Sequence, residues 1–477
     1  MKKTLKTAFL AAASAAVIAT GLSSAGHAIP FRDDVGDEGA QEFAAPWDGV
    51  IQIYALRESD GAIFFNCTGS MINPRTVISA AHCFNSQPTG SWGIGNGTRP
   101  IIAYGPDTFD ALFNWIDFNE QFIDDRNGLT FGLSVILPDG ADVLNENFPA
   151  QDVALIPVID PLHTLPTYGM LFSPIPEDVF NAGVHVNMIG YGSYGPGSSA
   201  SVGINGRRRA GENMLGFLGS FNDFFSALAQ SDQTAPGKDN TQLTYWVDFD
   251  LPGRTDTCPR GPDSLFGLPD SVECTDWDGA SGTFMDGDTV ILPGPSIDIF
   301  EGDALPNEVA TDGGDSGGPL MAMNLAANPL ILGVLSGGFI DGFFHAAGQQ
   351  YGSVSYYNPL FAYHQFISEN NPYKYVTAAA GDGLWSDATR WSQTMDPNYF
   401  IYENGQIVNG LPDTPEITVN PGPGPLGTVL GLGQPAAPAP VGSGEPAPAA
   451  ATNFAASGLA ADAATGDAAT NFAADGL

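Results

Sequence analysis

The chain has 477 residues, with 53 acidic against 16 basic side chains and a formal net charge of -37 at pH 7. An apolar content of 43% excludes a wholly disordered chain, and the length predicts about two to three compact units. A chain with this excess of negative charge repels nucleic acid and anionic membrane surfaces at long range. We therefore expect neither as a partner.

The first 28 residues have the pattern of a secretory signal peptide. Lys2, Lys3 and Lys6 form a basic start, Ala8–Leu22 is apolar, and small residues precede position 29. We therefore expect removal of residues 1–28 and a secreted or periplasmic protein with no membrane span. An uncleaved anchor is the alternative.

From Pro46 onwards, short apolar runs alternate with Gly, Pro, Asn and Asp. Apolar runs of this length, separated by turn-forming residues, are typical of strands. They predict an all-β sandwich or a pair of barrels. One helix is expected, over Asn358–Glu369. The strand candidates are Gly49–Leu56, Ala62–Phe65, Thr76–Ser79, Val153–Val158, Val184–Ile189 and Ile331–Leu335.

Four cysteines form two local pairs, Cys67 with Cys83 and Cys258 with Cys274. Three connectivities are possible, and an oxidising compartment favours the local one. A zinc site is the competing interpretation, but the C-x2-C spacing of such sites is missing. Acidic loops could hold calcium, yet no ligand spacing supports it. We expect no metal and no cofactor.

His82 is the candidate general base, because an apolar strand and two alanines lead into it and Cys83 follows it. His163, His185, His345 and His364 have no comparable setting.

Asp152 is the candidate carboxylate that would orient this imidazole. It stands at the start of a fully apolar strand, although an ordinary strand-end acid would look the same.

Two long polar stretches, Gly195–Gly237 and Leu251–Gly282, are predicted to be insertions between strands. The first contains Arg207, Arg208 and Arg209. These arginines could bind an anion, but in so acidic a chain we expect them to pair with its own carboxylates.

Ser316 lies in the glycine-rich stretch Thr311–Leu320 and is the candidate nucleophile. Glycines let backbone N–H groups crowd a reacting carbonyl without a Cβ clash. The stretch also fits the G-x-S-x-G elbow of α/β-hydrolase esterases, with His345 or His364 as base, and glycine-rich turns are common in purely structural loops.

The order of His82, Asp152 and Ser316 is that of a known family. With the motifs around them, the stretch from Pro46 to Asn371 resembles the chymotrypsin/trypsin family of serine endopeptidases. These motifs are Cys67–Cys83, the Asp152 strand, Ile189–Gly192, Gly314–Pro319 and Leu335–Gly338.

The resemblance implies two packed antiparallel β-barrels with the site in the cleft between them. Ser316 would attack the scissile carbonyl of a protein or peptide, His82 would transfer the proton, and Asp152 would orient His82. The N–H groups of Gly314 and Ser316 would form the oxyanion hole. Ser336, Gly337 and Gly338 would pair with the substrate strand.

Several positions depart from the family pattern. By spacing, Ala310 stands where the family has the floor of its specificity pocket. Neither Ala310 nor Thr311 supplies a carboxylate, so an uncharged residue, apolar or small, is expected before the cut. No Ile-Val-Gly-Gly start is present, which leaves the partner of Asp315 open. The usual pocket disulfide is missing, so Cys258 and Cys274 are expected to clip an inserted loop. A catalytically silent binding protein with the same fold is the further alternative.

These features divide the chain into six parts. We expect the signal peptide over 1–28, a lead over 29–45, a first barrel over 46–165, a second barrel with inserted loops over 166–371, an extension over 372–418, and a disordered Pro/Ala/Gly-rich tail over 419–477.

Within the extension, Gly381–Pro415 with its Trp-x5-Trp core resembles repeats in passenger regions of bacterial autotransporters, which implies a passenger chain without its translocator. The tail contains a near-repeat, residues 451–459 and 469–477, which is either a docking peptide or a simple duplication.

Overall fold

The structure is a computed structural model that describes residues 29–84, 89–138, 141, 151–224, 242–252, 281–284, 288–291, 300, 304–339 and 350–413. The predictions for the signal peptide, the Cys258–Cys274 bridge, His345 and the tail fall outside these residues.

The described chain starts with a short strand and a helix and continues into a first sheet of seven antiparallel strands. The sheet has the spatial order β6-β7-β5-β2-β3-β4-β8, and helix α2 leads from β5 to β6. The elements are β1 (Pro30–Phe31), α1 (Gly36–Ala44), β2 (Val50–Arg57), β3 (Ile63–Asn73), β4 (Thr76–Ser79), β5 (Thr98–Tyr104), α2 (Thr108–Phe118), β6 (Phe122–Asp124), β7 (Asn127–Phe131) and β8 (Ala154–Pro157).

A second, ten-stranded sheet holds most of the remaining strands. Its main path is β13-β10-β18-β19-β20-β15-β14, with β9, β23 and β24 attached beside β19. Of the other strands, β11 and β12 form a three-stranded sheet with β1, and β16–β17 and β21–β22 form two-stranded sheets. The elements after β8 are β9 (Gly169–Leu171), α3 (Glu177–Asn181), β10 (His185–Gly190), β11 (Ser193–Pro196), β12 (Val202–Ile204), β13 (Arg209–Met214), β14 (Phe217–Gly219), β15 (Thr244–Asp248), β16 (Ser281–Phe284), β17 (Asp288–Ile291), β18 (Pro319–Ala322), β19 (Leu330–Phe339), β20 (Val354–Pro359), α4 (His364–Asn370), β21 (Val376–Ala378), β22 (Trp391–Gln393), β23 (Tyr399–Glu403) and β24 (Gln406–Asn409).

The all-β prediction is confirmed, but the paired strands form open sheets and not closed barrels. Isolated bridges between Gly132 and Val158 and between Ile136 and Leu155 join the end of the first sheet to the segment after β7. The two ends of the first sheet therefore meet only at single bridges, without the continuous strand ladder that a closed barrel requires.

The lead and the first expected insertion are integral parts of the fold. β1 pairs with β11, and Ile29 is fully buried. The described part of the stretch Gly195–Gly237, residues 195–224, supplies strands β12, β13 and β14, so interpreting this part as an insertion was wrong.

The three arginines of that stretch point to carboxylates of the chain. Arg208 Nη2 lies 2.7 Å from Asp48 Oδ1, and Arg209 Nε lies 2.5 Å from Asp37 Oδ1. Arg207 Nε lies 3.4 Å from Asp107 Oδ2. These pairs tie the lead and the first sheet to the second, and the expected self-pairing is confirmed.

The expected helix Asn358–Glu369 is shorter than predicted. Strand β20 continues through Asn358 to Pro359, a 3-10 turn follows over Leu360–Tyr363, and α4 begins at His364. A residue before proline avoids the helical region, so Asn358 stays extended.

Candidate active site

His82 and Asp152 lie at the ends of neighbouring strands. His82 follows β4 in a short 3-10 turn, Asp152 precedes β8, and β4 pairs with β8. The backbone N–H of His82 donates to Asp152 Oδ1 at 2.7 Å, and His82 Nδ1 lies 2.8 Å from Asp152 Oδ2. Two contacts to one carboxylate fix both the position of the histidine and the rotation of its ring.

The pKa of His82 is raised above its ordinary value. Burial opposes the charged imidazolium, but the charge of Asp152 and its hydrogen bond together outweigh burial. Asp152 itself is fully buried, while about a quarter of the His82 side chain stays exposed. The Nδ1 edge of the ring is therefore fixed by Asp152, while another part of the side chain stays exposed to solvent.

Ser336 was expected to pair with the substrate strand through its main chain, and its side chain has a partner that the sequence did not predict. Its hydroxyl donates to Asp152 Oδ2. The pairing of β19 with β20 shifts register between Leu335 and Gly337, which leaves Ser336 in the irregularity. The local sequence gives no signal for this contact, because it depends on the register of a distant strand.

The Ser316 loop is attached to the first sheet through Thr68. Thr68 N–H donates to Ser316 O at 2.9 Å, and the Thr68 hydroxyl donates to Gly314 O at 3.0 Å. A Cβ at Gly317, where φ is +81°, would overlap Ser79 Oγ and Thr68 O. This close approach therefore requires glycine.

The Cys67–Cys83 disulfide lies between the serine loop and the histidine. Its Cys83 Sγ is 4.0 Å from Ser316 O, and His82 directly precedes Cys83 in the chain. The structure thus brings the partly exposed Ser316 into the neighbourhood of the His82–Asp152 pair.

Backbone N–H groups of the serine loop fall into two sets. Those of Gly313, Asp315, Gly317 and Gly318 donate to acceptors within the loop or in β19. Within the described part of the chain, the N–H groups of Gly314 and Ser316 donate to no acceptor. Two unused N–H donors, one on the serine and one two residues before it, are the groups from which an oxyanion hole could form.

Asp315 has backbone partners, which the sequence left open. Its Oδ1 accepts from Gly192 N–H at 2.9 Å and its Oδ2 from Asp312 N–H at 3.0 Å. Burial raises the pKa of Asp315 well above its ordinary value, although the Gly192 N–H and the Arg209 charge oppose this. The carboxyl braces the turn in front of Ser316.

The expected pocket residues carry no charge. Ala310 is buried against Phe249 and Tyr351, and the Thr311 hydroxyl donates to Ser355 Oγ at 2.7 Å. Gly337 and Gly338 pair with β20, and a Cβ at Gly337 would overlap the Tyr356 hydroxyl.

The alternative base His364 lies elsewhere. It lies buried in α4, with Nδ1 2.9 Å from Phe361 O and its ring centroid 6.4 Å from that of Phe172. This setting gives the esterase interpretation no support.

A histidine held by a buried carboxylate, next to a serine loop with two unused N–H donors, is the arrangement of groups that serine-type hydrolases use. A family model described as Trypsin matches residues 34–107, which include His82 and end before Asp152 and Ser316. This part of the chain is therefore similar to the trypsin family of serine endopeptidases.

A solved structure titled "HL collagenase structure at 1.7A resolution" is 16% identical and covers 68% of this chain and 94% of its own, with a TM-score of 0.35. Among the described residues, no helix is long and apolar enough to cross a membrane.

Proposed function

We propose that the protein is a secreted serine endopeptidase that uses Ser316, His82 and Asp152 through an acyl-enzyme intermediate. The observation that supports this most is the double contact of Asp152 with His82. It fixes the imidazole in the tautomer whose outer nitrogen can accept a proton from a serine hydroxyl.

In the proposed reaction Ser316 Oγ attacks the scissile carbonyl carbon while His82 takes the hydroxyl proton. The Gly314 and Ser316 N–H groups stabilise the oxyanion of the tetrahedral intermediate. His82 then gives the proton to the leaving amine. Water then attacks the carbonyl carbon of the acyl-enzyme while His82 takes its proton. His82 gives this proton to Ser316 Oγ as the acid product leaves.

Replacing the nucleophile tests the proposal. The chain is expressed with its leader in a secreting host, and the exported protein should begin at Ile29 by N-terminal sequencing. Ser316→Ala should lower peptide hydrolysis by at least about 10³-fold without changing the far-UV circular dichroism. Unchanged hydrolysis would overturn the mechanism, and retention of residues 1–28 would overturn the proposed secretion.

Labelling with a fluorophosphonate probe separates this enzyme from a silent binding protein of the same fold. The wild type should react at one serine and Ser316→Ala should not. No labelling of the wild type would favour the binding protein.

The pocket residues support a preference for uncharged residues before the cut. Ala310 and Thr311 offer no carboxylate to a lysine or arginine side chain, and burying an unpaired cation is costly. A peptide library varied at that position should be cleaved fastest with small or apolar residues. Strong selection of Arg or Lys would contradict this preference.

A further inference from the structure

A set of large apolar side chains is exposed where α2 leads into β6. The exposed fractions are 70% for Phe118, 51% for Phe122, 47% for Phe113 and 45% for Ile123. Exposed apolar residues are ordinary when scattered, but four within eleven positions are typical of an interaction surface. These four residues form the α2–β6 surface.

Local hydrogen bonds preform this surface. The Asp107 carboxylate caps α2 by accepting from Phe109 N–H at 3.1 Å, and Asn119 ends the helix in the left-handed region with φ 59°. Asn114 Nδ2 donates to Glu120 O at 3.1 Å, and Leu129 N–H donates to Gln121 O at 2.7 Å. The aromatic side chains therefore stand on an ordered turn that would lose little entropy on binding.

Acidic side chains surround the α2–β6 surface. Six of the twenty residues from Asp107 to Arg126 are acidic, nearly three times the density of the whole chain. The one basic residue in this stretch, Arg126, lies 3.4 Å from Asp48. The exposed acids are Asp110, Asp117, Glu120, Asp124 and Asp125.

We propose that the α2–β6 surface binds a basic, apolar segment of a protein substrate, outside the catalytic cleft. The inference rests on the proposed function, because it names the class of substrate that the enzyme would hold. Apolar groups flanked by lysine or arginine complement both the exposed aromatic residues and the acidic rim. A second copy of this chain would bring the same negative charge and be repelled.

The position of the surface sets a length requirement. β6 lies at one edge of the first sheet and β4, which leads to His82, lies five strands away. At about 4.8 Å per strand this is about 24 Å, or roughly seven extended residues. A tripeptide in the cleft cannot reach the α2–β6 surface, whereas a protein substrate can.

Binding is tested on the Ser316→Ala protein, which keeps the surface and does not cleave the probe. The probe is a fluorescent 18-residue helical peptide of lysine and leucine, measured by anisotropy. The double variant Phe118→Ser/Phe122→Ser should bind at least about tenfold more weakly. The matched control is Leu384→Ser/Trp385→Ser, which removes residues that are 75% and 68% exposed in the extension.

Equal weakening by both double variants would show unspecific apolar attachment, and no weakening by either would show unspecific attraction of the cation to an acidic protein. Either result would overturn the proposal. So would equal binding of a glutamate–leucine peptide. Loss of a dimer in Phe118→Ser/Phe122→Ser, seen by sedimentation velocity, would assign the surface to self-association instead.

Cleavage gives a second readout with Ser316 intact. Phe118→Ser/Phe122→Ser should raise KM about tenfold for a long basic substrate and leave kcat/KM for a tripeptide substrate unchanged. Loss of both activities together would point to misfolding. If neither substrate is cleaved by the wild type, the proposed function fails while the binding result still decides this inference.

Discussion

At the scale of single residues, Asp152 combines two tasks. One of its oxygens accepts from the His82 backbone and the other lies against the His82 ring and the Ser336 hydroxyl. Burial lowers the pKa of His82, whereas the charge and the hydrogen bond of Asp152 raise it, so the carboxylate is the group that holds this pKa above its ordinary value.

Asp152→Asn tests this control of protonation. A general base must be neutral, so activity should rise as pH passes the raised pKa of His82, above the ordinary value of about 6.5. In the variant only burial remains, and the acid limb of the kcat/KM profile should move to lower pH. The amide also favours the wrong tautomer, so kcat should fall by about 10⁴-fold.

Ser336→Ala serves as the control for that measurement, because it removes a donor to Asp152 and keeps the negative charge. Its acid limb should stay above that of Asp152→Asn. An acid limb that does not move in Asp152→Asn would show that another group sets the pH dependence.

At the scale of elements, the sequence predicted most where the pattern is local. The strand Thr76–Ser79 was predicted with its observed bounds, and the all-β class followed from similar runs. Helix α2 was missed, although Asp107 as its cap and the buried Thr108, Ala111 and Leu112 at helical spacing were available signals. Its many aromatic residues masked that spacing.

The rest depended on contacts far apart in sequence. The lead forms a strand only because β11 is there to pair with it. The Ser336 contact with Asp152 depends on a register shift between β19 and β20. His82, Asp152 and Ser316 could be chosen from their settings, whereas the backbone partners of Asp315 could not, since Gly192 lies 123 residues away.

The extension is held by a buried acid, which makes its docking dependent on pH. Asp396 accepts from Asn398 N–H at 2.9 Å and from Asn371 Nδ2 at 3.4 Å, next to β23, which pairs with β9. Burial raises the pKa of Asp396 to about 7, although the Asn398 N–H and the Lys374 charge lower it.

Asp396→Asn should remove part of the pH dependence of stability. A folded-state pKa above the unfolded value means that the folded protein binds the extra proton, so the stabilisation is full below about pH 4 and is lost as pH rises through 7. Between pH 5 and 8 the wild type should lose about 2–3 kcal/mol more than the variant in urea unfolding. Equal losses would show that Asp396 is ionised in the folded protein throughout this range.

At the scale of the whole molecule, the net charge of -37 opposes folding by self-repulsion. The ion pairs of the described residues join particular segments, such as Arg209 with Asp37 and Arg99 with Glu58, and are too few to neutralise the excess of acid. Screening by salt should therefore weaken the repulsion among the carboxylates more than it weakens the attraction within the ion pairs.

Thermal unfolding in NaCl measures that balance. At pH 8, raising NaCl from 0.02 to 0.5 M shortens the Debye length from about 20 Å to about 4 Å and should raise Tm by about 3 °C or more. Near the sequence pI of about 4.1, where net charge is close to zero, the same salt should change Tm little. Sulfate is unsuitable because it strengthens apolar burial at any charge. A fall of Tm with NaCl at pH 8 would mean that attractive pairs outweigh the repulsion among the carboxylates.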